Sequence, residues 1–191
     1  MGRCFKAVFL FILLFSVSTA FGQGSSTDGA PASQKPIRGD VFILPDNTVS
    51  LPRDFSRLKP IGKIFVSEIN VPDRSWTEGF PHVPEIFEWF AIEYTATMVI
   101  KEPTEFVFSL GSDDGSRLYI DGKVIVNNDG QHSFKMSWGS ATLSKGEHKF
   151  RLVYFQGPRA ALGLQLFVKK KGSKEAAFPG SDIDLIQEQK L

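Results

Sequence analysis

Apolar and polar positions alternate with a period of two through most of the chain. EFVFSL (105–110) places Phe106, Phe108 and Leu110 on one face. HSFKMSW (132–138) sets Phe134, Met136 and Trp138 against Ser133, Lys135 and Ser137. HKFRLVYF (148–155) sets Phe150, Leu152 and Tyr154 against Lys149, Arg151 and Val153. ALGLQLFV (161–168) repeats the pattern with Leu162, Leu164, Leu166 and Val168. Successive side chains of a strand point to opposite faces, so each segment predicts a strand with one buried face. VFIL (41–44), KIFVSEINV (63–71, closed by Pro72) and FEWFAIEYTATMVI (87–100, closed by Lys101-Glu102-Pro103) add β-branched and aromatic runs. SRLYI (116–120) and KVIVN (123–127) are joined by Asp121-Gly122, which suits a tight hairpin because glycine takes positive φ cheaply. Short strands at close spacing, with glycine and aspartate turns, predict an all-β antiparallel sandwich or barrel.

Helical periodicity is nearly absent. Only DIDLIQEQKL (182–191) would form a short helix, and it reads more readily as a frayed end. The pattern predicts one β domain over residues 38–171, followed by a polar tail at 172–191. Before the domain, Gly24 to Lys35 (GSSTDGAPASQK) lacks the apolar residues needed to order itself, so residues 23–37 read as a flexible linker. Arg38-Gly39-Asp40 matches an integrin-recognition tripeptide, which chance explains readily at a linker edge.

The first residues follow a different plan. Arg3 and Lys6 precede an apolar run from Ala7 to Val17, and small residues at Ala20 and Gly22 set a cleavage point before Gln23. This is the layout of a secretory signal peptide at 1–22, and it predicts a secreted, extracellular or periplasmic protein. The run is shorter than the roughly 20 residues of a spanning helix, and no membrane span is expected. Cys4 is the only cysteine of the 191 residues. The mature chain would therefore lack disulfides and cysteine ligands, leaving the core or a bound ion to stabilise it. Lys and Arg number 22 against 21 Asp and Glu, so no basic field points to nucleic acid.

The chemistry concentrates in LGSDDGSRLYIDGKVIVNNDG (110–130). Asp113 and Asp114 do not suit glycoside hydrolysis, which needs two carboxylates about 5–10 Å apart. His82, His132 and His148 fall in separate segments, with neither an HExxH nor a Gly-x-Ser-x-Gly pattern. No enzyme is expected. Two carboxylates followed by glycine suit a hard cation such as Ca²⁺ but lack the spacing of an EF-hand. By spacing alone, a turn remains the simpler reading.

Resemblance adds to this. GSDDGSRLYIDGK, VIVNNDGQH, ATLSKGEHKFRLVYFQG and ALGLQLFV arrive in the order of the protective-antigen fourteen-kilodalton domain family, which the chain resembles over roughly residues 40–170. The resemblance implies an antiparallel β-sandwich or barrel. It implies that Asp113 and Asp114, joined by a cis peptide, hold Ca²⁺, which also contacts sugar hydroxyls. The second family loop corresponds to GPRAALG (157–163), where this chain has Arg159 and no acid or amide. Gln156 or loop carbonyls are the available substitutes. Asn128, within Asn127-Asn128-Asp129-Gly130, would add a ligand if that turn folds towards Asp113, and Arg159 would bridge ligand oxygens. Trp138 offers an aromatic face that suits a pyranose, but its alternation with Phe134 and Met136 reads first as core, as does Trp89; Trp76, in the loop PDRSWTEGFPHVPE, reads as more exposed. These expectations describe a secreted, noncatalytic module that binds a glycan or cell-surface polysaccharide with Ca²⁺ at the cell envelope or in extracellular matrix. The alternatives are a structural adaptor that contacts an envelope protein, or an accessory subunit of an extracellular enzyme.

Overall fold

The computed structural model describes residues 36–186; the signal-peptide segment, nearly all of the linker and the last five residues lie outside them. The described residues form two antiparallel sheets from twelve strands: β1 (Ile37–Ile43), β2 (Gly62–Val66), β3 (Asn70–Ser75), β4 (Phe90–Ile100), β5 (Thr104–Asp113), β6 (Ser116–Ile120), β7 (Lys123–Asn128), β8 (Lys135–Leu143), β9 (Gly146–Gln156), β10 (Ala161–Lys170), β11 (Ala176–Ala177) and β12 (Asp184–Ile186). The seven-stranded sheet runs β2-β1-β4-β9-β6-β7, with β12 also on β4; the five-stranded sheet runs β11-β10-β5-β8, with β3 on β10. Among the described residues no helix is long and apolar enough to cross a membrane.

The period-two pattern explains the layers. Phe106, Phe108 and Leu110 of β5, Leu162, Leu164 and Leu166 of β10, and Phe150, Leu152 and Tyr154 of β9 are all buried in one cluster. Each such side chain contributes about 1.5–3 kcal/mol by leaving water. A smaller cluster lies on the other face of the seven-stranded sheet. There Leu44, Leu51 and Phe55, from the segment after β1, cover Phe42, Ala91, Val153 and Phe155. Val153 thus faces a covered layer rather than solvent, although the alternation groups it with Lys149 and Arg151. The β6–β7 hairpin turns at Asp121 (φ 51°) and Gly122 (φ 77°), the pair of positive φ values that matches strand twist.

Two expectations change, and the chance reading of one tripeptide gains a structural reason. Residues 172–191 are not a polar tail over their described part. β11 pairs with β10 and β12 pairs with β4 at Met98 and its neighbours, as a strand rather than a helix. Phe178, Ile183 and Leu185 are buried in the main core, with Phe178 stacked on Phe150 at 4.5 Å. Trp138 is not core: 65% of its surface is exposed. Register decides this, because Phe106, Phe108 and Leu110 face Ala141, Gly139 and Ser137, which turns Met136 and Trp138 outward. Arg38-Gly39-Asp40 lies within β1. Arg38 bonds the Asp40 carboxylate at 2.6–3.1 Å, and a Cβ on Gly39 would come within 2.9 Å of Ile92 and Tyr94, so the tripeptide is built into the sheet.

Candidate functional site

Asp113 ends β5, paired across the ladder with Gly163 of β10, and the Asp113–Asp114 peptide is cis. Both acids line one hollow of about 250 Å³, with Gln131, His132, Ser133, Pro158 and Ala160. The residues around them hold the backbone in place. Gly115 accepts the N–H of Phe155 at 2.9 Å, and a Cβ there would sit 2.5 Å from the Phe155 ring and 2.8 Å from the Gly130 nitrogen. Only glycine fits. Behind the acids, the Ser112 and Ser116 hydroxyls meet at 2.7 Å, and Asn128 Nδ2 donates to Ser112 Oγ at 3.0 Å.

The two carboxylates differ. Asp114 Oδ1 accepts the N–H of His132 at 3.0 Å and Oδ2 that of Gly157 at 2.7 Å. Burial pushes its pKa up, and those two N–H bonds and the His132 charge act the other way. Asp113 is pushed up to about 6, first by burial, then by the charges of Asp114 and Asp73; His132 and the Phe134 N–H oppose this. Among the described residues no ion pair reaches either acid. Two nearly buried carboxylates with no ion-pair partner are costly to hold in the charged form. Asp73 belongs to this electrostatic environment, but its place in β3, forty residues before Asp113, gave no sign of that in the sequence.

The other expected site residues are occupied by the scaffold. Asn128 is buried, with Nδ2 also on the Lys135 carbonyl at 3.1 Å and Oδ1 accepting from Ser137 at 2.8 Å. Gln156 Oε1 lies 2.6 Å from the Tyr154 hydroxyl, which also reaches the Asp113 carbonyl at 2.7 Å. Its Nε2 donates to the Ala161 carbonyl at 3.0 Å and the Pro158 carbonyl at 3.3 Å, and faces Asp114 at 3.5 Å. Gln156 thus shapes the second loop from behind. Arg159 pairs with Glu88 at 3.0 Å and lies over the Trp76 ring at 5.2 Å, while Trp76 is half-buried and meets the Phe87 edge. Among the described residues no three His, Cys, Asp or Glu side chains converge as a metal cage. An ion here would draw on two carboxylates, loop carbonyls and outside oxygens.

The sequence profile of the PA14 domain matches residues 62–178, more than half of the chain. The chain belongs to the PA14 domain family, and its sheets have that family's β-sandwich form. No curated protein matches it in sequence. A PA14 sugar-binding domain from an RTX adhesin superposes with a TM-score of 0.65 at 15% identity, covering 76% of this chain and 96% of that one. An anti-sigma factor domain-containing protein gives 0.62 at 20% identity, covering 81% of this chain; this chain spans 49% of that protein's length. The Epithelial Adhesin 9 A domain of Candida glabrata, solved in complex with Galβ1-3GlcNAc, gives 0.57 at 10% identity, covering 81% and 90%. At these identities the likeness is one of fold.

Proposed function

We propose that the protein is a secreted, noncatalytic carbohydrate-binding module whose sugar site is built on Ca²⁺ held by Asp113 and Asp114. The observation that carries this is the pair of carboxylates in one hollow, nearly buried and without a cationic partner. Removing carboxylates from water is costly unless a positive charge compensates them. The sugar-binding name of one fold neighbour and the Galβ1-3GlcNAc complex of another support the substrate class.

The chain's own residues do the positioning. His132 and Gly157 fix Asp114 through their backbone N–H groups. A Cβ on Gly157 would lie 2.9 Å from Asp114 Oδ2, so glycine lets the second loop close onto the acid. Gln156 and Tyr154 then tie that loop to the Asp113 backbone. An ion held by Asp113 and Asp114 would offer sugar hydroxyls a positive charge to coordinate. The test is a glycan array probed in Ca²⁺ and again with a chelator. Glycan signals that disappear on chelation are expected; signals that survive it would remove calcium from the account.

A further inference from the structure

Trp138 stands on the outer face of the five-stranded sheet, 65% exposed. An exposed apolar side chain marks a contact site when its neighbours extend it. Here they do. Trp138 faces Ser109 across the ladder, and Ser109 faces Phe167. One row nearer the acids, Met136 faces Gly111. A Cβ on Gly111 would come within 2.3 Å of Met136 Sδ and 2.6 Å of the Phe134 ring, so the glycine lets both side chains lie down on the sheet. Phe134 also lies against Gly163, the residue paired with Asp113. An apolar ladder of Phe134, Met136 and Trp138 therefore starts beside the acid pair and follows β8 away from it.

The ladder has polar partners. Ser109 donates its hydroxyl to Glu175 Oε1 at 2.7 Å, which puts a carboxylate in the row of Trp138. Gln165, paired with Gly111, bonds Asn70 at 2.7 Å and borders the ladder with amides. An aromatic face beside a carboxylate suits a pyranose, whose C–H face lies on the ring while its hydroxyls donate to the oxygen. Asp113, Gly111 and Ser109 share one face of β5. From Asp113 to Ser109 the strand rises about 13 Å, roughly the span of three linked pyranose rings.

We infer that the carbohydrate site continues from Asp113 and Asp114 along this outer face to Trp138 and Glu175, and that it takes a linear oligosaccharide rather than a lone terminal sugar. This rests on the carbohydrate reading above and adds the length of the ligand and the residues at its far end. A glycan is the occupant because the ladder is continuous with the acid pair and is edged by amides and a carboxylate, which serve hydroxyls along its length.

The test is an array carrying each glycan as mono-, di-, tri- and tetrasaccharide, probed in Ca²⁺ with wild type, Trp138→Ala, Trp138→Phe and Asp113→Asn. Wild type is expected to bind the longer members about tenfold more tightly than the monosaccharide, the gain of one stacked ring. Trp138→Ala is expected to lose that gain at an unchanged melting temperature, Trp138→Phe to recover most of it, and Asp113→Asn to lose all binding. Wild-type affinity that does not depend on chain length, or full trisaccharide affinity in Trp138→Ala, overturns the extended site and leaves the calcium lectin standing. Failure of wild type to bind any glycan overturns both.

Discussion

The backbone N–H of Gly157 reaches Asp114 Oδ2 at 2.7 Å, joining the end of β5 to the loop between β9 and β10. With His132 on Oδ1, this makes Asp114 the clasp of the site, while Asp113 is the acid whose charged form burial and the Asp114 and Asp73 charges most disfavour.

The two acids therefore respond oppositely to substitution when calcium is absent. Asp114→Ala strands two donors, and a loss of about 2–4 kcal/mol is expected from urea unfolding in chelator. Asp113→Asn removes a charge that burial and Asp114 both oppose, and stability is expected to rise at neutral pH. Equal losses from both substitutions would remove the distinction.

The same asymmetry gives a pH dependence. The folded pKa of Asp113 is raised above 3.8, so its contribution is full below about 3.8 and is lost as pH rises through about 6. Asp114 shifts in the same direction. Without calcium, this contribution falls between pH 4 and pH 7, and a bound calcium ion would compensate the buried charge. Calorimetric melting is expected to show a larger calcium-induced rise at pH 7.5 than at pH 5. An equal rise at both would contradict the assignment.

Much of this was legible in the residues, for physical reasons. Strands with one polar face announce themselves by alternation, and β5, β6, β7, β9 and β10 appear close to where their patterns place them. The Ser-Asp-Asp-Gly stretch carries the family pattern, and the cis bond is where the resemblance implies it. Alternation alone misplaces Trp138, because it says which residues share a face, not which face is inside; that depends on pairing with Phe106, Phe108 and Leu110. The segment from 172 to 186 reads as polar in one dimension because Phe178, Ile183 and Leu185 are scattered among polar residues, and only a sheet already formed makes them core. Asn128 and Gln156 look like ligands in one dimension because an amide is suited equally to a cation and to a hydrogen-bond scaffold.

The terminal segment is expected to be structural. Phe178→Ala empties a fully buried site stacked on Phe150, at a cost of about 3–5 kcal/mol in urea unfolding. A loss below 1 kcal/mol would mark the segment as dispensable.

His148 and Asp121 form a second titrating pair, with His148 Nδ1 2.7 Å from Asp121 Oδ2. Burial pulls His148 down, but the bond to Asp121, the Ser144 carbonyl and the Asp121 charge raise it overall. Burial pushes Asp121 up, yet its bonds to His148 and the Lys149 N–H lower it overall. The His148 contribution is therefore full below about 6.5 and is lost as pH rises through its raised folded value. Asp121→Asn is expected to cost up to about 1 kcal/mol near pH 5.5 and less at pH 8.5, since the aspartate is partly exposed. A penalty that grows with pH would reverse the sign of the pairing.

The central claim is that Asp113 and Asp114 hold calcium, and titration calorimetry of Ca²⁺ into wild type and Asp113→Asn tests it most directly. The account predicts a single site in wild type, with proton release that grows below pH 6.5, and no binding in the variant. Wild type that gives no calcium heat, or a variant that binds as wild type does, would contradict it.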